Sequence, residues 1–200
     1  RLTVKGVLNN VSFNTPGCLI FDIGGGSTEY VYVNDGKIMN ITSTGLGVVR
    51  LTEKYLADEN DTEADMAALD AHIESVITEA LPSFPQGGDE TLTLIGTAGT
   101  PTTLAAMELR LAAYDPVLVN NYVLTREKIE RTLKTVLSLP RADRTKIPGL
   151  EKGREDLIVS GTAVVLKTME RFMSGRMAVS DAGLLEGIAY SMVGGGKAGR

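Results

Sequence analysis

Leu19-Ile20-Phe21-Asp22-Ile23-Gly24-Gly25-Gly26-Ser27-Thr28-Glu29-Tyr30 is an apolar run that ends in a carboxylate, three glycines and a Ser-Thr pair. A second β-type run begins at Glu29. A strand entering a tight glycine turn directs successive backbone N–H groups into one concavity, a geometry that suits phosphate oxygens. Asp22 and Glu29 supply acidic oxygens on either side, the ligand type that hydrated Mg²⁺ prefers. The chemistry implied is the handling of a phosphate chain, with the metal offsetting its charge.

Working outward, residues 18–23, 28–34 and 37–44 read as three short strands. Asn34-Asp35-Gly36 joins the second to the third, and Asp-Gly is a strong hairpin signal. Gly45-Leu46-Gly47 leads into a helix from Val48 to about Leu56, followed by a charged segment from Asp58 to Asp65. Met66, Leu69, Ile73, Val76, Ile77 and Ala80 recur at helical spacing, and Pro82 and Pro85 close that helix. Residues 91–95 form a fourth strand ending in Gly96-Thr97-Ala98-Gly99-Thr100, with Thr100 as N-cap and Pro101 as first helical residue. Thr125 caps a helix that buries Ile129, Leu133, Val136 and Leu137, and Leu157 to Phe172 form another. A fifth strand, Arg176 to Ser180, passes through Asp181 into a last helix, about Gly183 to Met192.

The order β-β-β-α-β-α-β-α implies an α/β domain with a mixed five-stranded sheet flanked by helices. Three strands joined by short turns run antiparallel, whereas the fourth and fifth, reached through helices, run parallel to the first. The ends of strands one, four and five then share one edge, where ligands bind in such sheets. All three ends carry Gly with Ser, Thr or Asp.

Composition is that of a soluble globular protein of 200 residues, 43% hydrophobic and 22% charged. No stretch reaches the roughly 18 apolar residues of a membrane span, and there is no basic-then-apolar leader. The net charge of −5 argues against a general nucleic-acid binder. The lone Cys18 cannot form an internal disulfide and suits a cytoplasmic setting, and its place at the start of an apolar strand reads as packing. His72 reads as a surface residue, and no His/Cys cluster has the spacing of a zinc site. Gly194-Gly195-Gly196-Lys197 lacks the Ser/Thr and preceding strand of a Walker loop.

Five pieces in order resemble the exopolyphosphatase / guanosine pentaphosphate phosphohydrolase (Ppx/GppA) family, within the superfamily of actin and sugar kinases. They are Asp22–Glu29, Ser43-Thr44-Gly45-Leu46-Gly47, Gly96–Thr100, Gly149-Leu150 followed by Arg154, and Val179-Ser180-Asp181-Ala182-Gly183-Leu184-Leu185-Glu186-Gly187. The resemblance implies an actin-like, ribonuclease H-like fold and Mg²⁺-dependent hydrolysis of terminal phosphoanhydrides, on inorganic polyphosphate or guanosine pentaphosphate. Such proteins have two domains around one cleft, the first supplying another phosphate loop and a catalytic glutamate. On this reading residues 1–17 lead in from a missing first domain and 18–193 form the second. Residues 113–175 are then a helical insertion and 194–200 a disordered tail.

The resemblance also implies site roles. Asp22 and Glu29 are the catalytic, metal-holding carboxylates. Gly24, Gly25, Gly26, Ser27 and Thr28 bind phosphate together with Gly96, Thr97, Gly99, Thr100 and Arg154. Each has a plainer alternative: Asp22 as a turn former, Glu29 as a solvated strand residue, the glycines as a hairpin loop. Gly45 and Gly47 are explained as well by close packing, and Asp181 reads as a cap with Gly183 allowing close approach. Arg141, Arg144, Lys146, Lys152 and Arg154 form a basic cluster that either receives a distal phosphate or is a solvated connection. Without a first-domain glutamate the chain alone is expected to turn over little substrate. Two alternatives remain open: a non-catalytic phosphate- or nucleotide-binding module, including an ATP-binding kinase-like relative, and a domain that docks on its missing half or forms a homodimer.

Overall fold

The computed structural model describes residues 2–10, 17–58, 61–86 and 92–183. Helix α1 (Leu2–Asn10) precedes β1 (Gly17–Ile23), β2 (Thr28–Asn34) and β3 (Lys37–Thr44). Helices α2 (Val48–Tyr55) and α3 (Glu63–Ala80) follow, then β4 (Thr93–Thr97) and α4 (Gly99–Glu108). The remainder is α5 (Pro116–Val119), β5 (Val123–Thr125), α6 (Arg126–Leu137), α7 (Arg141–Arg144), α8 (Leu157–Arg171) and β6 (Arg176–Ser180).

The first hairpins obey their local chemistry. Asp35 and Gly36 adopt positive φ, 48° and 72°, matching the twist of the flanking strands as a two-residue primed turn does. Thr62 caps α3 by accepting from Asp65 N, while the Asp65 carboxylate accepts from Thr62 N. Thr125 caps α6 by accepting from Lys128 N.

The strands form one sheet in the order β3-β2-β1-β4-β6-β5. Parallel pairing joins β1 to β4 and β4 to β6, and the other neighbours are antiparallel. The mixed sheet and flanking helices agree with the expected class, but it has six strands rather than five. The additional strand, β5, lies between α5 and α6 and pairs with β6. Three residues are too few to show a period; β5 exists because the β6 edge is there to bond with, as in Val179 N to Tyr122 O at 2.9 Å.

One sheet face carries the main core. Leu19, Phe21, Tyr30, Leu94 and Val179 pack there with apolar residues of α2, α3, α4, α6 and α8. Inside it the Tyr30 hydroxyl meets Thr168 Oγ1 at 2.9 Å. The opposite face is thinner: Cys18, Ile20, Val31, Val33, Ile95 and Ala178 cluster with Val7 of α1. His72 is half-buried beside the Tyr55 ring, 5.3 Å between centroids.

One helix boundary differs from expectation. α4 starts at Gly99 with Ala98 as its N-cap, so Thr100 lies within the helix and its side chain is buried against Gly161 of α8. The charged segment before α3 contains a buried carboxylate. Asp61 is buried between Arg141 Nη2 at 2.7 Å and Arg144 Nη2 at 2.5 Å. Those arginines therefore brace the core instead of offering a phosphate site, because each guanidinium already faces a buried carboxylate. The last helix expected from about Gly183 to Met192, the tail at 194–200 and the strand start at Thr91 lie outside the described residues.

Candidate active site

Strand register builds the site. Ser43 pairs with Glu29, Glu29 with Asp22, Asp22 with Thr97, and Thr97 with Ser180. Residues in direct register point to one face, so a polar row crosses β3, β2, β1, β4 and β6 near the C-terminal ends of the parallel strands. Beyond that row lie three bends: Gly24–Ser27 after β1, Ala98–Gly99 after β4, and Asp181–Gly183 after β6. They share one sheet edge because β1, β4 and β6 run in the same direction.

Asp22 and Glu29 are half-buried and directly opposed across the β1/β2 ladder. Burial raises the Asp22 carboxyl above its ordinary value, and the Glu29 charge pushes it further. Opposed like charges on a ladder are unfavourable unless something positive is placed near them. Glu29 Oε1 accepts from Ser27 Oγ at 2.6 Å and from Ser43 Oγ at 2.8 Å. Among the described residues no group of three or more His, Cys, Asp or Glu could hold a metal ion. Two carboxylates next to open backbone donors fit a hydrated Mg²⁺ that shares its positions with water and phosphate, as distinct from an all-protein cage.

The glycine turn is fixed from below. Gly24 N donates to Ser27 O at 2.9 Å, and the Gly24 and Gly25 carbonyls accept from Val48 N and Val49 N of α2, each at 3.0 Å. This spends two of the orphan donors of α2 on the turn's carbonyls and leaves Gly25 and Gly26 exposed. A methyl group at Gly47 would lie 2.2 Å from Gly26 C and 2.3 Å from Gly25 O, so Gly47 serves close packing.

The second bend carries strain. Ala98 has φ 68° and ψ −167°, a region natural to glycine that costs an alanine about 1–3 kcal/mol. That turn starts α4 with its Gly99 and Thr100 N–H groups directed away from the helix, where its dipole also favours an anion. Arg154 lies against this end: its Nη1 is 2.0 Å from where a Gly99 Cβ would sit. Its Nε donates to Glu151 Oε2 at 2.7 Å, which orients the guanidinium while leaving it partly exposed. Arg154 is thus the member of the basic cluster that meets the glycine edge. Lys146 instead pairs with Asp143 at 2.6 Å on the surface.

The hydroxyls expected to meet phosphate are mostly used by the protein itself. Thr28 Oγ1 donates to Leu46 O at 2.5 Å, Thr97 Oγ1 to Ala182 O at 3.1 Å, and Ser27 Oγ to Glu29. Gly96 is buried, with Pro101 Cγ 2.8 Å from its missing Cβ. Among the described residues, the donors that remain at the edge are backbone N–H groups of Gly25, Gly26, Gly99 and Thr100, and the Arg154 head. Sequence patterns gave no notice of Ser43 against Glu29, or of the Tyr114 hydroxyl bonded to the Asp181 carboxylate. Burial and that bond hold the Tyr114 hydroxyl well above its ordinary value. A separate cavity of about 770 Å³, lined by Met107, Arg110, Arg131 and Ile147, opens at the other end of α4, away from these groups.

Comparison with known proteins gives the arrangement a lineage. The family profile described as the Ppx/GppA phosphatase family matches residues 1–195. Exopolyphosphatase 2 of Mycobacterium tuberculosis is 26% identical over 199 residues, covering 97% of this chain and 61% of that protein. Guanosine-5'-triphosphate,3'-diphosphate pyrophosphatase of Pseudoalteromonas translucida is 27% identical over 194 residues, covering 96% and 37%. The crystal structure of the Aquifex aeolicus Ppx/GppA family member superposes with a TM-score of 0.89 at 31% identity, covering 99% of this chain and 62% of the other. The chain spans about three fifths of the length of the mycobacterial and Aquifex proteins. Among the described residues no helix is long and apolar enough to cross a membrane. With its actin-like α/β fold and near-complete profile match, the chain belongs to the Ppx/GppA phosphatase family.

Proposed function

We propose that this chain is the phosphate-gripping domain of a Mg²⁺-dependent hydrolase that removes terminal phosphate from inorganic polyphosphate or guanosine pentaphosphate. The observation that carries this reading is the shared sheet edge, which holds the opposed Asp22 and Glu29 carboxylates, the Gly24–Gly26 turn after β1 and, after β4, the start of α4 with Arg154 against it. The names of the mycobacterial and Pseudoalteromonas relatives support the substrate class. In the reaction a water oxygen bonds to the terminal phosphorus as the bridging P–O bond breaks, giving phosphate and a chain one unit shorter. Asp22 and Glu29 would hold Mg²⁺, which when bound offsets phosphate charge. Gly25, Gly26, Gly99 and Thr100 N–H groups and the Arg154 guanidinium hold the phosphate oxygens in place. The base that takes the water proton is a glutamate from a preceding domain, so the chain alone turns over slowly.

Phosphate release from polyphosphate and from guanosine pentaphosphate tests this, using the chain alone and a longer protein carrying its upstream residues. The longer protein should need Mg²⁺ and lose on the order of a hundredfold or more on Glu29→Gln, as for other groups acting on developing charge. Fast turnover by the chain alone, indifferent to Glu29→Gln, would contradict the division of labour. Tight ATP binding that ignores polyphosphate would move the assignment to a kinase-like relative.

A further inference from the structure

We infer that Ser43 is a positioning residue for the Glu29 carboxylate, fixing it so that one oxygen stays open to the cation. The inference rests on the reading of Asp22 and Glu29 as cation ligands given above. Ser27 Oγ at 2.6 Å and Ser43 Oγ at 2.8 Å both donate to the same atom, Glu29 Oε1. Each hydroxyl has one proton to give, so both are committed there. Among the described residues Oε2 receives no protein donor.

The two donors come from independent elements. Ser27 belongs to the glycine turn, whereas Ser43 sits on β3 in direct register with Glu29. A glutamate side chain has three rotatable bonds, and a single donor from a turn leaves it room to swing. A second donor, held by the β2/β3 ladder, removes that freedom before any cation arrives, which is where preorganisation contributes affinity. The residue type fits the task. A neutral hydroxyl orients the carboxylate without neutralising it, whereas Lys or Arg at position 43 would compete with the cation for the same charge. The plainer account is that an exposed serine on an edge strand takes the nearest acceptor. That account makes Ser43 silent in both folding and binding, whereas positioning makes it silent in folding alone.

Mn²⁺ titration of the chain, following the electron paramagnetic resonance of the free ion, separates the two, because Mn²⁺ shares the oxygen preference of Mg²⁺. Glu29→Gln should abolish the binding seen in the unaltered chain. Ser43→Ala should weaken it about five- to twentyfold with an unchanged unfolding midpoint, and Ser43→Thr, which keeps the hydroxyl, should stay within about twofold. Ser43→Ala binding like the unaltered chain while Glu29→Gln fails would overturn the positioning role and leave the site reading intact. Ser43→Thr as weak as Ser43→Ala would also overturn it, since the hydroxyl would not be the cause. Glu29→Gln binding normally would bring down the site reading and this inference together.

Discussion

Replacing Gly99 with alanine should damage phosphate binding while sparing the fold. The added methyl would lie 2.0 Å from Arg154 Nη1, 2.6 Å from its Cζ and 2.7 Å from Nη2, all far inside contact distance. What must move is the tip of a flexible, partly exposed side chain, anchored among the described residues through Nε to Glu151. The guanidinium can swing toward solvent at little cost, and alanine in a helix recovers up to about 1 kcal/mol relative to glycine. Urea unfolding should therefore change by about 1 kcal/mol or less in either direction. Binding should not escape so lightly: a hydrogen bond to a charged group contributes about 1.5–3 kcal/mol, or roughly ten- to 150-fold in affinity. Calorimetric titration with inorganic tripolyphosphate and Mg²⁺ reads that loss. Gly47→Ala is the contrasting control, because its methyl meets backbone atoms of Gly25 and Gly26 that cannot step aside, and overpacking of this kind costs about 1–3 kcal/mol or more. The decisive measurement is a double-mutant cycle with Arg154→Ala. If Gly99→Ala acts through Arg154, it adds no further loss of affinity in that background. An independent loss there, or a Gly99→Ala chain as unstable as Gly47→Ala, would refute the reasoning.

Asp61→Asn should cost about 3–5 kcal/mol in urea unfolding, since it leaves buried Arg144 and half-buried Arg141 without their shared carboxylate. A loss below about 1 kcal/mol would mean that water reaches the pair, as it does in surface ion pairs. Cys18 should label slowly: burial pushes its thiol from 9.0 to about 11, so at pH 8 it holds roughly a hundredfold less thiolate than an unburied thiol. Because the folded state keeps this proton longer than the unfolded chain, stability should fall as pH rises from about 9 to 11. A Cys18→Ala chain should lack that part of the decline.

Much of this protein was written locally. Alternating apolar residues and the Asp35-Gly36 turn determine β2 and β3 within a few residues of each position, because strand period and turn geometry are short-range properties. The helical stripe of Leu69, Ile73 and Ile77 is equally local. Spacing of the glycine motifs also marked the two bends, and a motif pointed to Arg154. Other features had no local signal, because register and burial join residues far apart in the chain. β5 needed the β6 edge, the Asp61 clamp joins residues 80 and 83 positions apart, and the Ser43 contact with Glu29 depends on the β2/β3 register. The engagement of the Thr28 and Thr97 hydroxyls had no local signal for the same reason: a hydroxyl takes whichever acceptor packing brings close, here the Leu46 and Ala182 carbonyls. Gly47 and Gly99 look alike as letters. Only the tertiary structure distinguishes them, since one lies on immovable backbone and the other beneath a movable arginine.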